Sequence, residues 1–232
     1  MISPRPTKFI AHAGGGVDGV MYSNSIEALD YNYGLGHQLF EIDFSWTSDG
    51  KLIAIHDWTE KFEYLFRFSV NAPLDYDTIS HMKMRNNLTV MTLPMLTEWL
   101  QRHPYTYIVT DIKEGNIDGL KYLAENYGRF SCRFIPQIYE TFEYEKVKEL
   151  GFENMILTLY TNKQPLEEID DFIRNNKIFA VAIPYGKINY DTYMKIFKEN
   201  DVFVYVHTYN DPEKAAKLLA TQIDGLYTDF LY

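Results

Sequence analysis

Cysteine is almost absent from this sequence of 232 residues, since Cys132 is the only one. An intramolecular disulfide is therefore excluded, and a reducing compartment fits the composition. Basic residues are also scarce, because 22 Lys and Arg stand against 32 Asp and Glu for a formal net charge of −10. This balance argues against a nucleic-acid partner, whose phosphate backbone requires a basic protein surface. A small phosphorylated ligand is not excluded, since a bound metal ion inverts the charge locally.

Long apolar runs are missing as well. No stretch approaches the ~18 consecutive apolar residues of a membrane span, so no transmembrane segment is expected. The first residues, MISPRPTKFIAHAGGG, lack the apolar segment of a secretory signal peptide, although a trimmed leader would leave the same sequence. Internal repeats and low-complexity linkers are absent too. We therefore expect one cytoplasmic domain over residues 1–232, of undetermined oligomeric state.

What the sequence does contain is an alternation of strands and helices. Nine short apolar runs, rich in β-branched and aromatic residues, are typical of buried strands, and most precede a segment with helical apolar spacing. The runs lie at 8–13, 39–44, 52–57, 107–112, 133–139, 154–160, 178–184, 202–209 and 225–230. Their alternation with helices predicts a parallel sheet covered by helices, the arrangement of an α/β fold.

One pair of these strands leaves no room for a crossover helix. Because parallel neighbours need about a dozen connecting residues, segments 39–47 and 51–57 are expected to form an antiparallel hairpin. Eight βα-type strands then remain, which predicts a (β/α)8 TIM barrel with a β-hairpin after strand 2. Residues 58–93 fit the pattern poorly, and we expect them to form a long excursion capping the barrel mouth.

The hairpin, FEIDFSWTSDGKLIAIHDW, gathers polar groups that a core normally excludes. A type I′ turn centred on Asp49 and Gly50 would place Asp43 opposite His56, with Glu41 on the same face. Burial without a partner would cost such a cluster several kcal/mol, and a divalent cation would relieve that cost. Oxygen ligands favour Mg²⁺ or Ca²⁺. The alternative is that both carboxylates face solvent and the histidine is structural, and the hairpin alone favours neither interpretation.

More polar groups end neighbouring strands. His12 ends the first strand and precedes a run of three glycines, where the backbone can approach an anion. Asp111 and Lys113 end the strand YIVTDIK. Each of these features alone is explained by a loop, a helix cap or a solvated lysine. Because barrel enzymes carry their chemistry at the carboxyl ends of the strands, the whole set on one rim favours a functional site.

The segments that carry these groups resemble a known family. The run IAHAGG…NSIEAL…GHQLFEIDFSWTSDGKLIAIHD is similar to the pattern of the glycerophosphodiester phosphodiesterases, of the PI-PLC-like phosphodiesterase superfamily. The segments LPMLTEWL, VTDIK and VYVHTYNDPEKAAKLLATQIDGLYTDF resemble later motifs of that family, so the resemblance extends from about residue 8 to residue 230. It implies a TIM barrel, one divalent metal ion, either Mg²⁺ or Ca²⁺, and a small-molecule phosphodiester of glycerol or lipid metabolism.

The resemblance also implies roles for six polar residues: the metal ligands Glu41, Asp43 and Asp111, the catalytic histidines His12 and His56, and the phosphate-binding Lys113. Asp111 stands where the family usually has glutamate. The implied reaction is hydrolysis of a glycerophosphodiester to glycerol 3-phosphate and an alcohol. One histidine would take a proton from the attacking hydroxyl of the substrate and the other would protonate the leaving alkoxide, without the sequence distinguishing their roles. Water would then open the resulting cyclic phosphate.

Three further positions depart from the family pattern. Ala13 replaces an arginine and Ser23 a glutamate, which suggests an ion pair lost as a unit, since losing one partner would strand the charge of the other. His207 replaces an aromatic residue of the substrate-facing rim, and Gln137 and Tyr139 are further candidates for the pocket. The resemblance therefore says least about which alcohol the substrate carries.

Two other functions stay open at this point. Asp111, Lys113 and the missing arginine are also similar to the sphingomyelinase D-type phospholipases, which use the same kind of barrel. The single cysteine cannot form their disulfide-held loop, however, and the closing segment DGLYTD follows the first family better. The departures also fit a degenerate barrel that binds a phosphorylated ligand without turnover. Retention of every candidate metal ligand and of both histidines favours the active hydrolase.

Overall fold

Eight parallel strands form a closed sheet at the centre of this fold. The computed structural model describes residues 3–186 and 190–232. The nine described strands are β1 (Phe9–Ala11), β2 (Leu39–Trp46), β3 (Leu52–Ile53), β4 (Tyr107–Ile112), β5 (Phe134–Ile138), β6 (Ile156–Thr158), β7 (Ala180–Ile183), β8 (Val204–Val206) and β9 (Gly225–Thr228). Their order is β1-β9-β8-β7-β6-β5-β4-β2, and pairing of Ala11 with Phe40 closes the ring. The predicted TIM barrel is confirmed.

Helices connect the successive barrel strands and cover the outside of the sheet. The described α-helices are α1 (Ile26–Gly34), α2 (Glu60–Phe66), α3 (Tyr76–Ser80), α4 (Leu93–Arg102), α5 (Asn116–Tyr127), α6 (Glu143–Glu149), α7 (Leu166–Asn175), α8 (Tyr190–Glu199) and α9 (Pro212–Leu219). Side-chain caps start several of them: the Ser25 hydroxyl accepts from the Ala28 N–H at 3.1 Å, and the Asp211 carboxylate accepts from the Lys214 N–H at 2.9 Å. Such caps satisfy N–H groups that have no partner within the helix.

Alternation along the strands separates two apolar layers. On β2, Phe40 and Phe44 pack in the layer between the sheet and the helices, whereas Leu39 packs inside the barrel with Tyr205 and Tyr227. Because side chains two residues apart share a face, Glu41 and Asp43 follow Leu39 into the barrel interior. The amino-terminal half of the interior is therefore apolar, and the carboxyl-terminal half carries the polar side chains.

The hairpin after β2 forms, but with a register other than the predicted one. Ser45 pairs with Ile53, where a type I′ turn would have paired it with Ala54. A type I′ turn needs a positive φ at both central residues, and Gly50 has one (73°) whereas Asp49 does not. The Asp49 carboxylate instead accepts from the Thr47 hydroxyl at 2.7 Å and from the Tyr76 N–H at 2.8 Å, and these contacts hold a three-residue turn. His56 therefore lies beyond the paired residues of β3.

The excursion over residues 58–93 folds against one side of the barrel mouth. It contains α2, α3 and a short 3-10 helix (Arg85–Asn87), and its apolar side chains form a separate cluster. In that cluster Phe62 and Leu65 of α2 pack with Ile53 and Ile55 of the hairpin return. Long loops over a barrel mouth commonly shape the site below them.

No helix within residues 3–186 and 190–232 has the length and apolar content to cross a membrane. A cytoplasmic location and a single domain over residues 1–232 stay predictions.

The closure of the barrel between β8 and β9 should depend on Gly225. A Cβ atom at this position would lie 2.5 Å from the Tyr205 ring and 2.9 Å from the Lys8 carbonyl oxygen. We expect Gly225→Ala to lower the free energy of unfolding by about 1–3 kcal/mol, measured by urea denaturation. Gly128→Ala is the matched control, because nothing lies within 4 Å of a Cβ there. Equal stability of the two variants would contradict the close approach.

Candidate active site

Three carboxylates meet at the carboxyl ends of β2 and β4. Oxygen atoms of Glu41, Asp43 and Asp111 lie within 4.8 Å of one another, and the first two side chains are fully buried. Strand pairing explains the meeting, because Asp43 and Asp111 are directly opposite each other in the parallel ladder. Each predicted metal ligand is thus part of one cluster.

Glu41 carries an atom that the protein leaves unsatisfied. Its Oε2 accepts from the Ala13 N–H at 2.7 Å, whereas its buried Oε1 has no hydrogen-bond partner among the described residues. Burial first, and then the charge of Asp43, raise the pKa of Glu41 well above its ordinary value. An unpaired buried oxygen in a set of oxygen-only ligands fits a divalent cation, which would supply the missing partner.

Lys113 balances the other two carboxylates. Its ammonium lies 2.7 Å from Asp43 Oδ1 and 2.7 Å from Asp111 Oδ2. Burial raises the pKa of Asp43, but the charge of Lys113 and of the nearby imidazoles outweighs it and lowers the pKa to about 2. Asp111 also accepts a hydrogen bond from the Tyr139 hydroxyl. The two aspartates therefore hold the Lys113 ammonium at the edge of the carboxylate cluster.

Each candidate catalytic histidine is oriented by a carboxylate at its Nδ1. His12 Nδ1 lies 2.8 Å from Asp229 Oδ1, and His56 Nδ1 lies 2.7 Å from Asp57 Oδ2. Because a carboxylate only accepts, Nδ1 carries the proton in both rings, and Nε2 is left for substrate. The Tyr22 ring stands between the two imidazoles, with ring centroids 5.0 Å from His12 and 5.4 Å from His56. His12 and His56, which can each transfer a proton, thus lie on opposite sides of the Tyr22 ring.

Two of the three histidines at the mouth, His12 and His207, differ in charge. Burial lowers the pKa of His12, but the hydrogen bond to Asp229 and the charge of Glu41 outweigh burial and raise the pKa to about 9. Burial, followed by the charge of His12, lowers the pKa of His207 well below its ordinary value. His207 is thus neutral, and it stacks on Tyr227 with ring centroids 3.9 Å apart. It lines the cavity at the position where the family has an aromatic residue.

These groups surround one cavity of about 500 Å³ at the barrel mouth. Gln137, Tyr139 and His207, the additional pocket candidates, line it together with His12 and His56. Asp111 and Lys113 line it as well, whereas Glu41 and Asp43 lie deeper in the barrel.

Sequence reasoning missed two asparagines that hold this site. Asn24 exchanges two hydrogen bonds with Asp43, from its Nδ2 to the carboxylate and from the Asp43 N–H to its Oδ1, both at 2.9 Å. Asn210 binds Asp229 in the same two-way manner, at 2.6 and 2.7 Å. Asn24 lies in NSIEAL and Asn210 in VYVHTYN, two segments that carry the family resemblance. The resemblance could therefore have drawn attention to both asparagines, but not to the carboxylates that they bind.

Comparison with known proteins identifies the family of this chain. Residues 12–232 match the model of the glycerophosphoryl diester phosphodiesterase family. The chain belongs to this family. It is a phosphoric diester hydrolase that acts on glycerophosphodiesters, and this membership favours the first of the three functions considered from the sequence.

Two solved phosphodiesterase structures resemble this chain over nearly its whole length. A glycerophosphodiester phosphodiesterase from Thermotoga maritima is 19% identical, with a TM-score of 0.74, over 97% of this chain and 95% of that chain. A phosphodiesterase from Oleispira antarctica, in complex with the product sn-glycerol-3-phosphate, is 16% identical, with a TM-score of 0.75, over 97% of this chain and 93% of that chain. A search of curated proteins found no match.

The unsatisfied Glu41 oxygen leads to a prediction about stability. In metal-free protein, Glu41→Gln should raise the free energy of unfolding, because it removes a carboxyl whose ionisation burial and Asp43 disfavour, while its amide oxygen can still accept from Ala13. With saturating Mg²⁺ or Ca²⁺ the wild type should become the more stable of the two proteins, because only the wild type would bind the metal. A ligand at a hundredfold excess over its Kd contributes ~2.7 kcal/mol to the free energy of unfolding. Thermal unfolding with EDTA and with each metal measures both. An unchanged metal response in the variant would remove Glu41 from the ligand set.

The Asp229–His12 pair leads to a second prediction. A pKa of about 9, above the ordinary 6.5, contributes stability that is complete below about pH 6.5 and is lost as the pH rises towards 9. In metal-free protein, Asp229→Asn should lower the pKa of His12 and flatten this pH dependence. NMR titration of the ring protons measures the first effect, and urea unfolding at pH 6 and 9 the second. Glu213→Gln, on exposed α9, is the control and should leave the His12 titration unchanged.

Proposed function

We propose that this chain hydrolyses glycerophosphodiesters to glycerol 3-phosphate and an alcohol, with one divalent cation and two histidines. The observation that carries the proposal is the convergence, at one barrel mouth, of three carboxylates, two carboxylate-oriented imidazoles and the Lys113 ammonium. Glu41, Asp43 and Asp111 would hold the cation, and their oxygen-only set favours Mg²⁺ or Ca²⁺. Bound there, a divalent cation supplies Lewis-acid stabilisation of the charge that develops on the phosphate oxygens.

The histidines carry the protons in two steps. In the first, the neighbouring hydroxyl of the substrate attacks phosphorus and gives its proton to one imidazole, while the bond to the alcohol breaks and the leaving oxygen takes a proton from the other. The product is a cyclic phosphate of glycerol. In the second step water attacks, the two imidazoles exchange roles, and the ring opens to glycerol 3-phosphate. Asp229 and Asp57 keep both Nε2 atoms available throughout, because each holds the Nδ1–H of its ring.

Lys113 is the cation that this chain brings to the phosphate. It reaches the cavity from the end of β4, and the two aspartates at 2.7 Å fix its ammonium at the edge of the carboxylate cluster. A lysine acts on phosphate as a point charge, without the two-pronged contact of the missing arginine. Gln137 and Tyr139 would position the glycerol part, with His207 as the aromatic wall beside it.

The proposal is tested by release of glycerol 3-phosphate from glycerophosphocholine, glycerophosphoethanolamine and glycerophosphoglycerol. We expect turnover that EDTA abolishes and that Mg²⁺ or Ca²⁺ restores. His12→Ala and His56→Ala should each lower kcat/KM by about 10²–10⁴-fold while metal binding, followed by calorimetry, stays close to that of the wild type. His81→Ala is the matched control, because that side chain is 78% exposed and outside the cavity. Near-normal rates in either site variant would contradict the acid/base assignment.

A further inference from the structure

A second cavity adjoins the catalytic one and is not used by the proposed reaction. It measures about 460 Å³ and lies between the hairpin, the start of the excursion and the end of β4. Lys113 lines both cavities, and Asp57, which binds His56, lines the second. A diester whose phosphate lies at Lys113 can therefore extend one of its two substituents into each cavity.

Two tryptophans determine what the second cavity can bind. The Trp46 indole N–H donates to the Glu114 carbonyl oxygen at 2.8 Å, and the Trp58 indole N–H donates to the Trp46 carbonyl oxygen at 2.9 Å. These bonds fix both rings and use the only hydrogen-bonding group that an indole has. What the rings still offer a ligand is their apolar surface and the negative potential of their faces.

The hydroxyl groups of the same wall are also committed. Ser45 donates to the Ile55 carbonyl oxygen at 3.1 Å, Thr47 donates to Asp49 at 2.7 Å, and Thr59 donates to Asp57 at 3.1 Å. A polyhydroxylated alcohol such as glycerol needs free donors and acceptors, and these three hydroxyls are already used, which leaves the Asn71 amide beside the carboxylates of the wall. The catalytic cavity, with its amide, imidazole and phenol groups, suits the glycerol part better.

The charges of the second cavity favour a cation. The Lys113 ammonium lies 2.7 Å from both Asp43 and Asp111, at the edge of this cavity where the phosphate of the proposed substrate would bind. Asp57 and Glu114 remain as carboxylates in the wall, and the Glu114 carboxylate has no hydrogen-bond or ion-pair partner in residues 3–186 and 190–232. Aromatic faces beside carboxylates attract an alkylated ammonium group, which needs no hydrogen bond.

We propose that this cavity binds the alcohol half of the substrate and selects an alcohol that carries a quaternary ammonium group, as choline does. The inference rests on the proposed function and adds to it the identity of the leaving alcohol. The aromatic face of Trp58, with the carboxylate of Glu114, would recognise the positive charge while the phosphate lies at Lys113.

The test compares two diesters of the same shape. Glycerophosphocholine carries a trimethylammonium group, and the 3,3-dimethylbutyl ester of glycerol 3-phosphate has a carbon atom in place of the nitrogen and no charge. We expect kcat/KM to be about tenfold higher for the choline ester, the factor that corresponds to about 1.4 kcal/mol of cation–π attraction. Trp58→Leu and Glu114→Gln should each bring the ratio towards one. Tyr105→Leu is the control, because this exposed side chain lies at the opposite end of the barrel, before β4.

A binding measurement keeps the two proposals separable. Two of the three tryptophans of the chain line this cavity, so tetramethylammonium should change the intrinsic fluorescence saturably. Trp58→Leu should weaken that response. Turnover of both diesters at equal kcat/KM, without saturable tetramethylammonium binding, would overturn this inference and leave the proposed function intact. Saturable binding without turnover of either diester would overturn the proposed function and support the cation site.

Discussion

Repulsion among three carboxylates is the constraint around which this barrel mouth is organised. Glu41 and Asp43 are fully buried beside Asp111, and such a set is costly unless opposite charge or donors reach it. The chain meets this demand from several elements: Lys113 from β4, the protonated His12 from β1, the Asn24 amide before α1 and the Ala13 N–H. One oxygen of Glu41 has no donor among residues 3–186 and 190–232, so these residues leave the compensation incomplete. The divalent cation of the proposed function would complete it.

Much of the fold and of the site was predictable because it depends on periodicity. Alternation along β2 placed Glu41 and Asp43 on one face with Leu39, and the parallel arrangement brought Asp111 to the same end of the sheet. The register of the hairpin was not predictable, because it depends on the backbone of Asp49, which Tyr76 of the excursion helps to hold. The pairing of Asn210 with Asp229 and of Asp229 with His12 was hidden for a similar reason, since 217 residues separate the members of the second pair.

The two substitutions at the mouth are accommodated without any buried charge at either position. Ala13 and Ser23 are both fully buried, and the Ala13 carbonyl oxygen accepts from the Asn24 N–H at 3.0 Å, so the two segments lie side by side. The Ser23 and Ser25 hydroxyls are 3.1 Å apart and form a hydrogen bond. Had only one member of an Arg–Glu pair been replaced, the other would be left in this closed space with an unpaired charge. In the proposed function, Lys113 then provides the cationic contact of this chain with phosphate.

The separate apolar cluster of the excursion has a consequence for heat inactivation. His56 directly follows Ile55, which packs in the cluster of α2, whereas His12 and Asp229 belong to the ends of barrel strands. A small cluster on the side of a large core opens with a lower free energy than the core itself. When the excursion opens, His56, one of the two proposed proton-transfer groups, leaves the mouth while the barrel stays folded. Catalysis would therefore be lost at a lower temperature than the one at which the barrel unfolds. The helical circular dichroism of a warmed sample would overstate the fraction of molecules that are still active.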